Sequence, residues 1–426
     1  MNDIKTAPDT KNQKEPKGYA VTYPLANFGF MFAILTGTLG GLAVKLQHIN
    51  NGDLSAATAQ LALVTGVGAL FALLSQPLVG RLSDRTRSRF GMRRPWIFVG
   101  LIGAALSLFL VGSAEDLPLI LVGWCAAQTF NNFVQAAITA TLPDQVPKHR
   151  RGIISGLAGM VSPIAILLGA ISLNVLHSDL LRFAIPGFVS LIFGLLFVFT
   201  FRDRKLVGEV PPLDIKEFFT LFVFNPFKEK YHDLGWAWLS KFLVMFGYCT
   251  VGTYSLLLLA TKFGMSVEQQ TQYHMYINFI SIIAMVIMSI VGGKLSDKFG
   301  KRRLFVCIAG ITTAVGILFY AVSPLIDKST GILLIFIGAT LLGLGMGNFF
   351  ATDQALCADV LPSKENTAKD LGVLNIANAL PQSIAPAVAG PLILAVGDNG
   401  YTVWFIIGAI ICVLGGAIVY KIKTVK

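Results

Sequence analysis

The sequence predicts an all-α membrane protein with twelve transmembrane helices arranged as two pseudo-symmetric six-helix bundles, and three observations lead to this prediction. Hydrophobic residues make up 54% of the 426 residues and charged residues only 13%, whereas about a quarter of a water-soluble domain is charged. Apolar runs of about 20 residues, long enough to cross a bilayer, recur between short polar stretches. Two motifs from the first half of the chain recur in the second half.

Twelve apolar runs define the predicted spans, and polar stretches define the domain boundaries. We expect a tail over 1–22, a first bundle over 23–201, a linker over 202–235, a second bundle over 236–420 and a tail over 421–426. Each run has the length that a bilayer-crossing helix requires. The spans are 23–44, 57–79, 95–113, 118–142, 153–176, 182–201, 236–260, 273–292, 304–324, 331–357, 371–396 and 401–420.

The distribution of Lys and Arg predicts which side of the membrane each loop faces. If the tails and the loops after even-numbered spans lie inside, they hold 29 of the 34 Lys and Arg residues, while four lie outside and Lys241 lies within a span. Basic residues in short loops are retained in the cytoplasm, so we expect both termini there. The net charge of +11 then reflects basic loops beside anionic lipid headgroups, and nucleic acid is not a required partner.

The internal repeat consists of two different motifs that recur at nearly the same offset. The hexapeptide GRLSDR, with Asp84, follows the second span, and GKLSDK, with Asp297, follows the eighth span 213 residues later. A second motif, Asp-x-x-Pro, begins at Asp144 after the fourth span and at Asp359 after the tenth, 215 residues later. A duplicated six-helix unit explains both offsets, and transporters are commonly built from such repeats.

These loops carry a family resemblance. The G-x-L-x-D-[RK] loop with its basic cluster, present twice, resembles the signature loop of the major facilitator superfamily over the whole chain. The longer first copy, SDRTRSRFGMRRP from Ser83 to Pro95, resembles the sucrose-transporter and glycoside–cation symporter branch. The stretch from Lys369 to Gln382, with KDLG, two Asn residues and Pro-Gln, resembles the same branch.

The resemblance implies that the two loops form a gate on the cytoplasmic side. A carboxylate is stabilised beside a helix N-terminus, which carries partial positive charge, and the family pattern places the partners of Asp84 and Asp297 near Gly372 and Gly152. Such contacts exist only while that side is closed. The alternative is that the basic loops are topology signals alone. The candidate gating residues are Gly80, Asp84, Arg85, Arg93, Arg94, Gly293, Asp297 and Arg302.

The fourth span carries a candidate substrate site. The resemblance implies that spans one, four, seven and ten line a central cavity. Along the fourth span Gln128, Asn131, Asn132 and Gln135 recur at helical spacing and form one polar stripe on an apolar helix. Amides within a membrane face a wet cavity or another helix, and they bind a polyol without requiring charge. Hydrogen bonding between helices is the alternative interpretation.

The seventh and tenth spans add aromatic and charged candidates. Tyr248 follows Lys241 by seven residues and shares its helix face, and Tyr254 lies close by. Aromatic rings suit the apolar faces of sugars, although Tyr also serves as an interfacial anchor. On the tenth span Asn348 is a further candidate, about 140° around the helix from Asp353.

Ionisable residues within predicted spans are functional candidates by default. Lys241, His274 and Asp353 are the three in this sequence. Lys241 and Asp353 sit roughly 7.5 Å and 9 Å inside their helices, so we expect them to pair as a structural contact, a gate or a proton-sensitive element. The alternatives are that Lys241 extends to the headgroups and that His274 is interfacial.

These observations favour cation (proton)-coupled uptake of a sugar or glycoside by alternating access in the cell membrane, with the protein acting as a monomer. The alternative is efflux of a drug or metabolite by proton antiport, although the G-P-x-x-G-G element of such antiporters is replaced by a stretch with Ser162-Pro163. The sequence lacks HExxH, GxSxG, GxxxxGK[ST] and GxGxxG motifs, so we expect neither enzymatic activity nor a cofactor. The five cysteines lie within apolar runs without CxxC spacing, which predicts no metal site.

Overall fold

The computed structural model describes residues 16–147, 150, 154, 157–158, 160–201, 203, 205, 232–360 and 367–424. All regular structure within these residues is helical. The predicted linker 202–235 lies outside them except for residues 203, 205 and 232–235. The helices are α1 (Tyr19–Thr36), α2 (Leu42–Ile49), α3 (Leu54–Asp84), α4 (Arg94–Ser113), α5 (Leu117–Gln145), α6 (Val161–Val175), α7 (Asp179–Thr200), α8 (His232–Gly252), α9 (Ser255–Phe263), α10 (Val267–Phe299), α11 (Arg302–Val322), α12 (Lys328–Asp359), α13 (Thr367–Val396) and α14 (Gly400–Ile418).

Each predicted span overlaps a helix, or a pair of consecutive helices, of the described chain. Ten helical stretches within the described residues are long and apolar enough to cross a membrane. One of these, Ile376–Lys421, contains most of α13 and all of α14, and α6 is a shorter apolar helix. The predicted all-α class is therefore confirmed, and the membrane-spanning character of the chain agrees with its helices.

The first span is interrupted by a π-helical turn, Gly37–Gly41, which joins α1 to α2. The sequence of this turn is GTLGG, and glycine disfavours a regular α-helix by about 1 kcal/mol relative to alanine. Two of the glycines also make room for aromatic rings. A Cβ at Gly37 would lie 2.6 Å from Cζ3 of Trp124, and a Cβ at Gly41 would lie 3.2 Å from Cζ of Phe183.

The second half also has helix ends that the sequence encodes locally. The seventh span is broken at Thr253 and Tyr254, between α8 and α9. Helix α10 begins with a capping box in which Ser266 and Gln269 exchange side-chain and backbone hydrogen bonds. Asp327 caps α12 by accepting a hydrogen bond from the backbone N–H of Thr330 at 3.0 Å, and this bond lowers the pKa of its carboxyl below the usual range.

The chain folds into two compact units. The first unit comprises the described residues of Met1–Gly41 and Leu70–Pro212, and the second comprises those of Leu42–Ala69 and Leu213–Lys426. Helix α2 and the first half of α3 therefore belong with the second unit, although the sequence places them in the first bundle. The π-turn ends at the residue where the chain passes from one unit to the other.

The first unit is held together by an aromatic cluster and by close helix contacts. The rings of Tyr19 and Tyr23 stack at 5.3 Å, and both meet the ring of Phe197 edge-on. The Tyr19 hydroxyl is hydrogen bonded to Thr141 Oγ1 at 2.7 Å, which ties α1 to α5. Burial of large aromatic rings is the main stabilising contribution available here, and it fixes α5 against α1.

In the second unit α12 packs tightly against α10 and α11 through small residues. Gly343 lies against the backbone of Ser281 on α10, and Gly347 lies against the backbone of Met285 one turn further on. Such Gly-x-x-x-Gly contacts let helix backbones approach closely within a membrane. The rigid packing of α12 positions the one carboxylate that it carries deep within the unit, Asp353.

Candidate functional site

The second unit contains a buried ion pair between α8 and α12. Lys241 Nζ lies 2.8 Å from Asp353 Oδ2, and the two residues are 9% and 3% exposed. The predicted pairing is therefore present, and the Lys241 ammonium does not extend to a surface. Cys357 lies one turn beyond Asp353, and its Sγ donates to Asp353 Oδ1 at 3.7 Å. Both oxygens of this carboxylate thus have a partner.

The environment of this pair determines what it can do chemically. Removing one partner of a buried ion pair leaves an uncompensated charge, which costs about 3–5 kcal/mol. Proton binding to Asp353 has the same electrostatic consequence, because it removes the negative charge that Lys241 requires. The pair therefore stabilises the packing of α8 against α12 only while both residues keep their charges.

The amide stripe of the first unit lies on α5. Asn131 and Asn132 are buried, and Gln128 and Gln135 are half-buried. The Asn132 side chain donates to the carbonyl of Gln128 on its own helix at 2.8 Å. Among the described residues Asn131 Oδ1 has no hydrogen-bond partner. These contacts do not tie the stripe to a neighbouring helix, and a buried acceptor remains open on α5.

Two other predicted cavity residues take part in helix packing. Tyr254 is fully buried and donates its hydroxyl to the carbonyl of Pro386 on α13 at 3.1 Å. Asn348 donates to the carbonyl of Phe305 on α11 at 2.9 Å, and its Oδ1 faces Gly292 on α10. Tyr248 lies half-buried on α8. Tyr254 therefore joins two helices, whereas Asn348 uses its N–H in packing and leaves its buried Oδ1 without a hydrogen-bond partner among the described residues.

The loop between α3 and α4 forms an arginine cluster in the first unit, made of Ser83, Asp84, Arg93 and Asp144. The Arg93 guanidinium pairs with Asp84, donates to Ser83 Oγ, and places its Nε 3.5 Å from Asp144 Oδ2. It is thereby shared between the ends of α3 and α5. Asp84 and Arg93 were predicted gating residues, and the structure brings them together within one unit.

The second unit has a matching cluster, made of Asp297, Arg302, Ala355 and Asp359. Arg302 pairs with Asp359, donates to the Ala355 carbonyl at 2.7 Å, and approaches Asp297 at 4.0 Å. Arg302 follows Arg93 by 209 residues, close to the repeat offsets of 213 and 215. The repeated Asp-x-x-Pro motifs therefore supply carboxylates to two equivalent arginines, a role that their spacing alone did not reveal.

Arg94 and Arg303, which directly follow Arg93 and Arg302 in the sequence, also make equivalent contacts. Arg94 donates to the carbonyl of Phe201 at the end of α7 and lies over its ring at 5.3 Å. Arg303 donates to the carbonyl of Ile422 beyond α14 at 2.6 Å. In each unit a guanidinium is thus bound to the carbonyl of the residue that directly follows a helix.

Other gating predictions have no matching contact in the described chain. No described atom lies within 4 Å of a Cβ built on Gly80, and a Cβ on Gly293 makes only an ordinary contact at 3.6 Å. Among the described residues, therefore, no tight helix contact occurs at either glycine. Arg85 is half-buried. Gly152 lies outside the described residues, as do the side-chain surroundings of Gly372.

Sequence reasoning missed two residues of interest in the first unit. Asp203 accepts hydrogen bonds from the backbone N–H groups of Arg93 and Arg94 at 2.6 and 2.7 Å, at the start of α4. It lies in a polar stretch with no pattern to mark it.

Trp124 lies four residues before Gln128, so helical spacing extends the amide stripe to it. Its polar N–H was overlooked because the residue belongs to an apolar run.

The described residues contain no group of three or more His, Cys, Asp or Glu side chains that could hold a metal ion. The predicted site residues with buried polar groups include the amides on α5, Asn348 on α12 and the ion pair between α8 and α12. Neutral amides can donate hydrogen bonds to a polar ligand and accept them from it.

Comparison with known proteins identifies the family. The family model described as Major Facilitator Superfamily matches residues 22–283 and 237–425. The chain belongs to the major facilitator superfamily. It is therefore a membrane transport protein and not an enzyme, as the sequence predicts.

Curated relatives match this facilitator over short segments. Solute carrier family 45 member 3 of Mus musculus is 41% identical over 66 residues, which are 16% of this chain and 10% of that protein. Sucrose transport protein SUC4 of Arabidopsis thaliana is 37% identical over 73 residues, 17% of this chain and 13% of that protein. Proton-associated sugar transporter A of Mus musculus is 45% identical over 71 residues, 17% of this chain and 9% of that protein.

Solved structures resemble this facilitator over nearly its whole length. A bacterial homologue of the human lysosomal transporter Spinster, in an inward-facing and unoccupied conformation, superposes with a TM-score of 0.70 at 14% identity, covering 94% of this chain and 95% of that one. A mutant of the nucleoside transporter NupG superposes with a TM-score of 0.71 at 13% identity, covering 94% and 100%. At these identities the likeness shows the fold alone.

Proposed function

We propose that this facilitator takes up a sugar or glycoside together with a proton by alternating access across the cell membrane. In this proposal twelve spans form two six-helix bundles, 23–201 and 236–420, joined by the linker 202–235. Both termini lie in the cytoplasm and the protein acts as a monomer. The observation that carries the proposal is the buried pair of Lys241 and Asp353, the one carboxylate that the sequence places deep within a span.

The pair supports proton coupling for an energetic reason. When Asp353 accepts a proton, Lys241 is left as a buried cation without its counter-ion, a state disfavoured by about 3–5 kcal/mol. Any conformation in which the ammonium reaches water or another acceptor is then favoured. Asp353 protonation can thus shift the equilibrium between two conformations by the several kcal/mol that such a shift requires.

The amide stripe supports a sugar as substrate. Gln128, Asn131, Asn132 and Gln135 offer both donors and acceptors and carry no charge, which matches the hydroxyl groups of a neutral polyol. A hydroxyl is at once donor and acceptor, so it can satisfy the open Oδ1 of Asn131. The relatives named for sucrose and for proton-associated sugar transport share segments of 73 and 71 residues with this chain, and this local likeness points to the same class.

Purified protein in liposomes tests the proposal. A pH-sensitive dye inside the vesicles reports proton entry when disaccharides and glycosides are added one at a time outside. The variant Asp353→Asn removes the titratable group, and Asp398→Asn changes an exposed carboxylate before α14 as a matched control. We expect sugar-dependent acidification of the interior in the parent and in Asp398→Asn, and none in Asp353→Asn.

Each other outcome of this experiment has a defined meaning. No proton entry with any sugar would overturn the sugar-symport proposal and favour efflux of a drug or metabolite. Undiminished proton entry in Asp353→Asn would leave sugar uptake in place and remove Asp353 as the coupling site. A drug-dependent proton movement of opposite sign would establish the antiport alternative.

A further inference from the structure

Cys357 on α12 contacts the carboxylate of the buried ion pair. It is 4% exposed, and its Sγ donates to Asp353 Oδ1 at 3.7 Å. The two residues are one helical turn apart, and side chains in a helix lean toward its N-terminus, which brings the thiol back over the carboxylate. A buried cysteine usually behaves as a small apolar side chain, whereas this one is bound to the ionisable group on which the proposed coupling depends.

The two oxygens of Asp353 have partners with different chemistry. Oδ2 lies 2.8 Å from the ammonium of Lys241, which has three donors and no acceptor. A proton on Oδ2 would therefore point at the protons of the lysine. Oδ1 contacts the thiol of Cys357, which is a weak donor and also a weak acceptor. A proton can thus be held at Oδ1 if the S–H turns away and the sulfur accepts.

The charged surroundings of Asp353 come from two side chains. Lys241, Asp353 and Cys357 interact electrostatically with one another. Helices α10 and α11 also pack against α12, and within the described part of the chain neither places an ionisable side chain in contact with Asp353. Arg302 on α11 instead pairs with Asp359 at the end of α12. Lys241 and Cys357 are therefore the groups that respond directly to a proton on Asp353.

We propose that the transported proton binds Asp353 at Oδ1 and that Cys357 is the positioning residue that holds it there. Before protonation the thiol donates to Oδ1, and afterwards the carboxyl O–H donates to Sγ. The proton comes from water, one O–H bond forms, and no other covalent bond changes. Lys241 keeps its own protons and loses only its counter-ion. The inference rests on the proposed function and adds to it the atom that takes the proton and the role of Cys357.

The thiol should affect the pH dependence of uptake in one direction. A hydrogen bond to a charged acceptor is stronger than one between neutral groups, so the contact stabilises the carboxylate more than the carboxyl. Removing the thiol with Cys357→Ala should therefore let the proton bind at higher pH. Cys357→Ser keeps a group that can both donate and accept at this position, and it should restore the parental pH dependence.

Sugar accumulation in liposomes tests this role when it is measured over a range of pH at a fixed pH difference across the membrane. The parent is compared with Cys357→Ala and Cys357→Ser. Cys412→Ala is the matched control, because Cys412 is a fully buried cysteine of the second unit whose Sγ donates to the backbone carbonyls of Val244 and Gly310. Counterflow of the same sugar at equal pH reports folding and alternating access.

We expect the pH of half-maximal accumulation to rise by about half a unit in Cys357→Ala, the size of a weak hydrogen bond to a charged group. Cys357→Ser and Cys412→Ala should match the parent, and counterflow should be unchanged in all variants. A merely structural role would lower accumulation and counterflow alike at every pH. That result, or an unchanged half-maximal pH in Cys357→Ala, would overturn the inference while leaving sugar symport intact.

Infrared difference spectroscopy follows both groups without any transport. The S–H stretching band lies in a spectral region that other protein groups leave free, and it moves to lower frequency when the thiol donates a hydrogen bond. Cys357→Ala identifies the Cys357 band among those of the five cysteines, and Asp353→Asn identifies the C=O band of the protonated carboxyl. We expect the Cys357 band to move to higher frequency as the Asp353 C=O band appears on acidification.

The spectra separate failure of this inference from failure of the proposed function. A Cys357 band that stays in place while the Asp353 C=O band appears would contradict the role of the thiol and leave Asp353 as a proton site. If no Asp353 C=O band appears at any pH at which the protein stays folded, Asp353 takes up no proton, and the proposed coupling fails together with the inference.

Discussion

In the first unit α5 carries a stripe of neutral amides, one of which leaves its Oδ1 without a partner among the described residues. In the second unit α8 and α12 carry a lysine and a carboxylate whose charges are matched at 2.8 Å. The loops of the two units, by contrast, carry the same chemistry, with Arg93 and Arg302 each shared between carboxylates at two helix ends. The two units therefore share these loop contacts and differ in the interior groups compared here.

Under the proposed function the two units divide the transport reaction between them. Neutral amides provide hydrogen bonds whose strength changes little with pH, which suits recognition of a neutral substrate. An ion pair responds to a single proton with a change of several kcal/mol, which suits coupling.

The largest effect is expected at the ion pair. Lys241→Ala and Asp353→Ala should each destabilise the protein by about 3–5 kcal/mol, because each leaves a buried charge, whereas the double change Lys241→Met with Asp353→Leu should cost little. Gln135→Leu on α5 should cost less than about 1 kcal/mol, since it removes a half-buried neutral group. Thermal unfolding in detergent measures all four. Equal losses of stability in the double variant and in the single variants would show that the two charges do not interact.

A smaller effect is expected at the arginine clusters. The Arg93 side chain is 8% exposed, whereas that of Arg302 is 26% exposed. Arg93→Ala should therefore cost about 2 kcal/mol and Arg302→Ala about 1 kcal/mol, because solvent weakens the more exposed pairs. The Lys variants are the controls, since they keep the charge and lose the forked geometry. A larger drop in unfolding temperature for Arg302→Ala would contradict the assigned difference between the clusters.

The smallest effect is expected at two carboxylates that bind backbone N–H groups. Asp203 caps the start of α4, whereas Asp233 on α8 accepts from the backbone N–H groups of Lys423 and Thr424 near the end of the chain. Asp203→Ala should cost about 1 kcal/mol, the usual value of a helix N-cap. Asp233→Ala should cost less and should increase hydrogen exchange at residues 423 and 424. If protection from hydrogen exchange at residues 423 and 424 is unchanged in Asp233→Ala, Asp233 does not hold this segment in place.

The sequence predicted the ion pair because depth along a helix follows from residue count alone. Lys241 and Asp353 are rare ionisable residues in long apolar runs, and 1.5 Å per residue places them at one level. The direction in which a side chain points around its helix was harder to predict. Tyr254 follows a break between α8 and α9, and Asn348 fills a packing contact with α10 and α11, so neither helix face could be inferred from regular spacing.

Other features had no local signal in the sequence. In the sequence the π-turn Gly37–Gly41 is part of one apolar run, although in the structure the ring of Trp124 packs against it. The grouping of Leu42–Ala69 with the second unit depends on tertiary contacts, whereas the repeat assigns this segment to the first bundle. Asp203 lies in a polar stretch where nothing marks it as the cap of α4. These features arise from packing between distant segments, which spacing along the chain does not record.

The central claim is that Asp353 couples proton entry to sugar uptake without forming the sugar site. Sugar counterflow tests this most directly, because exchange of internal for external sugar at equal pH requires binding and alternating access but no net proton movement. The account predicts that Asp353→Asn retains counterflow of the transported sugar and loses accumulation driven by an imposed pH gradient. Accumulation by Asp353→Asn equal to that of the parent would contradict the account. Loss of counterflow in a folded Asp353→Asn protein would also contradict it, because the carboxylate would then belong to the exchange step itself.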